Sequence, residues 1–237
     1  MTSIETIIDR QIRRWELQKN LEESHHGLGR SIHIPKPLIT ISRQRGARGT
    51  AIAERIAYRF NYTLLHRDII DRICESSGYK RRIVESLDEH TRSQMELWFE
   101  SLTTGKLVDL NDYARHLLEV VFGVSRLGGI VVVGRAANFI IGPSRGLHVR
   151  VVGTPDVRIK NLVEFEKMTA GDAKHEIEKS DRERAEFVRK LIKHSIDDPQ
   201  YYDLVINSDW IAIEQAVSLI ANAAMEKFEL LSREPVA

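Results

Sequence analysis

The chain has 237 residues, 42% of them hydrophobic and 29% charged, with a formal net charge of +1 at pH 7. That length supports one large core, and the near-zero charge balance argues against a general binder of nucleic acid or of membrane surfaces. A lone cysteine, Cys74, excludes an intramolecular disulfide or a thiolate metal cage and fits a reducing cytoplasm, while no apolar run approaches the length of a membrane span and the mixed charges from Glu5 onward are not a signal peptide.

Ile4, Ile8, Ile12 and Trp15 recur at helical spacing, with Ile7 beside them, so the chain opens on an amphipathic helix running to about residue 23. Ser24 to Arg30 breaks it, and Pro35 and Pro37 complete a linker. Residues 1–36 therefore read as a helical arm with its linker, and residues 37–237 as the main domain. A lone helix of this length is marginal in water, so the stripe is expected to dock, either on its own chain or on a partner subunit as a homodimer. His25 and His26 are neighbours on the linker and read as solvated in preference to metal-binding.

From Leu38 the pattern alternates strand and helix. The expected strands are Leu38 to Ser42, Thr63 to His66, Ile130 to Gly134, Leu147 to Val152 and Asp203 to Asn207. Each is short and largely apolar, as parallel strands covered on both faces should be. Helical periodicity falls on Ala51 to Phe60, Ile69 to Glu75, Met95 to Leu102, Tyr113 to Arg126, Val157 to Lys167, Arg182 to Ser195 and Ile211 to Leu231. Cys74 sits in the second of these beside Ile70 and Ile73, as a buried and inert thiol. This alternation implies a doubly wound α/β fold with a parallel sheet and with ligands bound beyond the carboxyl ends of its strands. The central strand is expected to be Leu38 to Ser42. The charged stretch Lys167 to Arg189 has few apolar residues; it reads equally as a lid standing off the core or as a solvated helix laced with ion pairs.

Phosphoryl transfer asks a protein to position phosphates and neutralise their charge. The segment Ser42 to Thr50 follows a strand and opens a helix, the arrangement in which turn amides and a helix dipole converge on an anion. Its sequence departs from the usual phosphate-loop pattern: Ser42 and Ala47 stand where glycines belong and Arg48 where a lysine belongs. Arg48 can grip two oxygens but cannot mimic a compact ammonium. Thr50 offers a hydroxyl to magnesium. The bland alternative is a strand-to-helix turn with an arginine-rich surface. Gly134-Arg135 ends a buried strand and could hold a phosphate bidentately. Arg182 and Arg189 share one helical face, with Arg158 on the helix before, and could close over a triphosphate. Asp68 follows the second strand and could serve magnesium-bound water or the acceptor; an N-cap role suits it equally.

Together these segments resemble the cytidylate kinase-like branch of the nucleoside monophosphate kinases. The resemblance rests on Ile41-Ser42-Arg43 through Gly46 and Gly49, Asp68-Ile69-Ile70, Gly134-Arg135-Ala136-Ala137-Asn138, Asp181-Arg182-Glu183-Arg184 and Tyr202-Asp203-Leu204-Val205-Ile206-Asn207. It covers roughly the last five-sixths of the chain and leaves the arm outside. It implies a five-stranded P-loop kinase core with a helical insert and an arginine-bearing lid. It further implies that Ser42, Arg43, Gly46, Ala47, Arg48, Gly49 and Thr50 meet ATP with magnesium at Thr50, and that Arg158 lies near the adenine. Gly134, Arg135 and Asp68 would meet the acceptor, Asp181, Arg182, Arg184 and Arg189 would form the lid, and Arg48, Arg182 and Asp68 would carry catalysis. The implied activity is ATP-dependent phosphorylation of a nucleoside monophosphate, CMP or dCMP by default, with small nucleotides as the only partners. The chain departs from the family at Ser42, Arg45, Ala47 and Arg48, and at Val133, where an aspartate is expected before Gly-Arg. The alternative is therefore a nucleotide-binding domain with little or no catalysis and an interaction role.

Overall fold

The computed structural model describes residues 38–85 and 112–233, together with residues 6, 8–10, 12, 13, 16, 17, 87, 93, 96 and 97. The expectations for Ile4, Ile7, Trp15, His25, His26, Pro35, Pro37 and most of residues 95–102 lie outside the described residues. Contacts divide the chain into two compact units: residues 1–36 with 65–128, and residues 37–64 with 129–237. The arm thus groups with the helical insert.

The larger unit is built on a parallel sheet. Its strands are β1 (Leu38–Arg43), β2 (Thr63–Leu65, the last residue of which begins the other unit), β3 (Ile130–Val133), β4 (Leu147–Val152) and β5 (Leu204–Asn207). Their order is β2-β3-β1-β4-β5, so β1 is the middle strand, as its apolar pattern predicts. Ile41 pairs with Val133 on one side and Val149 on the other. The helices of this unit are α1 (Gly49–Phe60), α5 (Ala137–Ile141), α6 (Pro155–Glu166), α7 (Ala170–Ile192) and α8 (Ile213–Arg233); α2 to α4 belong to the other unit.

The two faces of the sheet differ in chemistry. Ile39 and Ile41 of β1, Val131 and Val133 of β3 and Val149 and Val151 of β4 pack in one buried cluster with Ile52 and Ile56 of α1 and with Ala216 and Ile220 of α8. Strand side chains alternate, so Thr40 and Ser42 face the other way, as do His148 and Arg150. All of these polar residues are buried, and they pair across the strands: Thr40 Oγ1 with His148 Nδ1 at 2.8 Å, and Ser42 Oγ with Arg150 Nη1 at 2.9 Å.

Boundaries shift where the backbone turns left-handed. β3 ends at Val133, one residue short of expectation, because Gly134 has φ +81°. Ser77–Glu85 and Ala137–Ile141 are helices that the periodicity does not single out. The larger difference is α7, expected from Arg182 and observed from Ala170. Thr169 starts it by accepting the Asp172 N–H at 3.1 Å, and Ala173 and Ile177 bury against Leu162 of α6. The charged stretch is therefore one arm of a helical hairpin with its own small apolar core.

In the other unit, α2 (Arg67–Glu75) and α3 (Ser77–Glu85) pack with α4 (Asp112–Leu127). Ile70, Ile73, Ile83, Leu117 and Val121 are buried, and Cys74 is buried as expected. Ile8 and Ile12 of the arm are 2% and 1% exposed. Arg82 of α3 ties the arm down, reaching Asp9 at 3.0 Å and Glu16 at 3.1 Å. These two isoleucines are covered within one chain and are not offered to a partner subunit. Among the described residues no helix is long and apolar enough to cross a membrane.

Two expectations follow. Ile12→Ala leaves a cavity in a closed site, so it should destabilise this unit by about 2–5 kcal/mol in thermal or urea unfolding. His148 is buried, and desolvation lowers its pKa despite the Gly142 carbonyl, which accepts from Nε2 at 2.8 Å. The unfolded chain takes up this proton near pH 6.5 while the folded chain resists it, so stability should fall as pH drops below about 6.5. Urea midpoints between pH 8 and pH 5, with the His148 ring titration followed by NMR, check the sign.

Candidate anion-binding site

The loop between β1 and α1 is held open by a glycine and by strain. Gly46 has φ +81°, and a Cβ there would stand 2.6 Å from the Arg158 carbonyl oxygen, so only glycine fits. Arg48 also adopts the left-handed region, at φ 60°, where a non-glycine residue costs about 1–2 kcal/mol. It is the N-cap of α1, with no side-chain cap and no acidic residue in the first turn. The first bond of the helix runs from Ile52 N–H to the Arg48 carbonyl, so the amides of Gly49, Thr50 and Ala51 have no carbonyl within the helix. Thr50 and Arg48 are exposed and Ala47 and Gly49 buried.

A second strained turn adjoins it. Gly134, Arg135 and Ala136 follow one another at φ 81°, 54° and 55°, between β3 and α5. Gly134 N–H donates to the Ile41 carbonyl at 3.1 Å, which fixes this turn to the end of β1. A Cβ on Gly134 would lie 2.6 Å from Arg43 Nη1. The Arg43 guanidinium therefore lies between the two loops. Arg135 sets its guanidinium over the Phe187 ring of α7, 5.2 Å from the centroid. Arg184, one turn before Phe187, donates to the Arg43 carbonyl at 2.7 Å.

The α6–α7 hairpin grips the first loop through carboxylates. Arg45 makes paired hydrogen bonds to Glu166, at 2.6 and 2.5 Å, and a third to Glu176 at 3.2 Å. The Glu166 bonds hold the Arg45 pKa above its ordinary value against partial burial. Asp181 takes the Arg158 guanidinium at 2.5 Å and the Arg45 N–H at 3.5 Å. Arg158 is 5% exposed and also donates to the Arg45 carbonyl at 3.4 Å. Asn161 of α6 donates to the Gly46 carbonyl at 2.9 Å.

Of the residues expected to form the site, Ser42, Arg43, Arg158, Asp181 and Arg184 are thus brought against the loop or its base. Arg48 directs its guanidinium onto the Phe165 ring of α6, 4.2 Å from the centroid. Arg182 and Arg189 are exposed on α7. Asp68 lies in the first turn of α2, in the other unit, and the N-cap of that helix is His66. Residues the sequence reading passed over include Gln44, whose Oε1 accepts the Gly153 N–H at 3.0 Å, and Asn161. The most consequential is Arg150, buried on the polar face beneath Ser42. Its signal was a charged residue inside the apolar strand Leu147–Val152, two positions after another polar residue, His148.

The donor set fits a phosphate: first-turn amides, a helix dipole and guanidinium groups from several elements meet at one sheet edge. Magnesium is usually held by one or two carboxylates together with substrate phosphates and water, and residues 42–50 contain no carboxylate. Val133 is apolar and fully buried, and among the described residues no cluster of His, Cys, Asp or Glu could hold a metal ion. Thr50 supplies one exposed hydroxyl.

A central β1 running into a glycine-bearing loop and helix, in a five-stranded parallel sheet, is the α/β fold of the P-loop kinase type. The chain belongs to the cytidylate kinase-like family, whose model matches residues 38–210. A solved structure of an uncharacterized protein from Eubacterium ventriosum is similar in fold, with a TM-score of 0.62 and 19% identity over 81% of this chain and 99% of that one. A gluconokinase from Sinorhizobium meliloti aligns at a TM-score of 0.46 and 11% identity over 83% and 98% of the two chains. A curated relative, a uronate isomerase of Corynebacterium glutamicum, is 24% identical over 62% of this chain; the chain spans 30% of that protein's length. The family supports kinase-like phosphoryl transfer in general.

The clamp on the loop contains two kinds of pair. Asp181→Ala orphans a buried guanidinium and should destabilise the larger unit by about 3 kcal/mol, the low end for a broken buried pair. Glu166→Ala breaks a half-exposed pair and should cost about 1 kcal/mol or less. Parallel urea titrations of the two variants check the order.

Proposed function

We propose that this chain is an ATP-dependent phosphotransferase acting on a nucleoside monophosphate, with CMP or dCMP the default acceptor. The observation that carries the reading is the meeting of two strained loops at one sheet edge, joined through Arg43 and the Gly134 turn. In this reading the first-turn amides of α1 orient the donor phosphates, and Arg43 and Arg48 offset their charge. Arg135 holds the acceptor phosphate, and Arg182 and Arg184 on α7 approach from the hairpin. The family implies nucleotide and metal use in general, and magnesium, were it bound, would supply positive charge to offset that of the donor phosphates. Thr50 is the residue that would touch it. Asp68, exposed on α2, is the remaining acceptor-side candidate.

A second reading is favoured by two observations. Val133 supplies no carboxylate at the end of β3, and Arg48 rests on Phe165. A nucleotide-binding domain with little turnover would show both features. A panel of nucleoside monophosphates assayed with magnesium-ATP, beside calorimetric binding of ATP, separates the two readings: turnover supports the kinase, and binding alone supports the second.

Arg48 gives the sharper test. If it offsets phosphate charge in the transition state, Arg48→Ala should lower turnover about a hundredfold or more while the melting temperature holds. Arg48→Lys should also lose activity in a kinase built around a guanidinium, because lysine cannot make paired contacts. Unchanged ATP affinity and turnover in Arg48→Ala would reduce the loop to a turn.

A further inference from the structure

Arg150 is 5% exposed, in the middle of a sheet, and its guanidinium is spoken for by neighbours of unequal permanence. Nη1 donates to Ser42 Oγ at 2.9 Å, and the group lies 5.8 Å from the centroid of the Tyr202 ring. Ser42 and Tyr202 are both fixed: Ser42 belongs to the central strand, and the Tyr202 hydroxyl donates to the Ile196 carbonyl at 2.8 Å. The counter-charge is different. Nη2 donates to Asp197 at 2.5 Å, and the Asp197 side chain is 69% exposed.

The cation is enclosed and its partner faces water. Asp197 can turn into water at the cost of one side-chain rotation, and an exposed carboxylate loses little hydration energy in either position. Arg150 cannot follow it, and an uncompensated buried charge is strongly disfavoured. The chain around Asp197 need not move, since it is pinned on both sides. His194 stacks on Phe139 at 6.1 Å, Tyr201 packs on the same ring at 4.8 Å, and the Tyr201 hydroxyl meets His194. An anion arriving from solvent can therefore replace Asp197 without changing the buried charge. The place is next to the phosphate site: Ser42 is followed by Arg43, whose guanidinium borders the Gly134 turn and whose carbonyl accepts from Arg184.

We propose that Arg150, with Ser42 beside it, is a second anion subsite, that it shares with Arg135 the acidic group of the acceptor, and that Asp197 is an internal ligand which the acceptor displaces. The acidic group is a phosphate or carboxylate oxygen pair, the shape that matches a guanidinium fork. The assignment to the acceptor rests on the phosphotransfer reading; the subsite and its internal ligand do not. Because Asp197 covers the guanidinium, apparent affinity is reduced by the fraction of time it does so.

The test is equilibrium binding of inorganic phosphate, and separately of succinate, to the full chain by calorimetry. If Asp197 covers Arg150 about nine-tenths of the time, Asp197→Asn should tighten phosphate binding about tenfold. Asp198→Asn makes the same change in net charge one residue away and should leave affinity as it was. Arg150→Gln should remove the gain, so that Arg150→Gln with Asp197→Asn binds no tighter than Arg150→Gln alone. Asp197→Glu keeps a carboxylate on the same backbone and should not tighten binding, which covers the case of a poorly folding Asn variant. A gain for phosphate alone assigns the subsite to a phosphorylated acceptor, and a gain for succinate as well assigns it to acids in general. Unchanged or weaker binding in Asp197→Asn, or a gain that survives Arg150→Gln, overturns the proposal and leaves Asp197 a tether. Since binding is read without turnover, failure of phosphotransfer and failure of this subsite appear in different experiments.

Discussion

The position of β1 between β3 and β4 is the constraint on which the charged edge depends. A middle strand is buried on both faces and hydrogen-bonded along both sides, so its exit point is fixed. Everything that follows it, from Arg43 to the first turn of α1, inherits that placement. The Gly134 turn is tied to the same strand by a backbone hydrogen bond to Ile41. Two loops that carry left-handed residues are in this way held at one edge by a buried strand paired on both sides. Strain of that kind persists only where the surroundings over-determine it, and it concentrates at sites that bind or react.

The layering of the larger unit was legible in the sequence. Short apolar runs alternating with helical periods pointed to the parallel sheet and to its middle strand. The division of the sheet's two faces was also written there and passed over. In Leu38–Arg43 and Leu147–Val152, Thr40, Ser42, His148 and Arg150 fall at alternate positions. Period two puts all of them on one face, and burial then forces them to pair. What the sequence could not supply was the direction of long side chains. Arg45, Arg48 and Arg158 look alike as basic residues near a loop. Only the fold shows that Arg45 meets Glu166, Arg48 meets Phe165 and Arg158 meets Asp181. Nor could pattern alone start α7 at Ala170, because its apolar residues are few and pack on a neighbouring helix in place of the main core.

Carboxylates of the hairpin engage two of the arginines around the loop. Arg45 and Arg158 are satisfied from the hairpin and shape the loop: one anchors its flank, the other supports the carbonyl of Arg45 from below. Their charge is largely spent within the protein. Arg43 and Arg184 stand at the junction of the two loops, with Arg135 on the Gly134 turn and Arg48 at the helix start. A loop made this way gains rigidity from arginine–carboxylate pairs where a glycine-rich loop would rely on close backbone contact. That accounts for how a loop with Ser42, Arg45, Ala47 and Arg48 in unusual places is still held in one shape, with the Gln44, Arg45 and Ala47 amides bonded within the protein.

The same logic bears on the missing carboxylate at Val133. An acidic side chain at the end of β3 would project among Ile41, Val149 and Val151 and the helices α1 and α8, the apolar face of the sheet. Valine there completes that core, so the substitution has a packing reason as well as a chemical consequence. The charged groups at that edge are guanidinium groups, Arg150 on the polar face and Arg184 on α7 among them. Guanidinium groups differ from a bound metal in one respect that matters for chemistry: their positions are set by the fold before any ligand arrives. Arg135 is set in this way by its packing on Phe187 and Arg150 by its place beneath Ser42, so in the reading proposed above a phosphate would meet guanidinium groups that are already positioned.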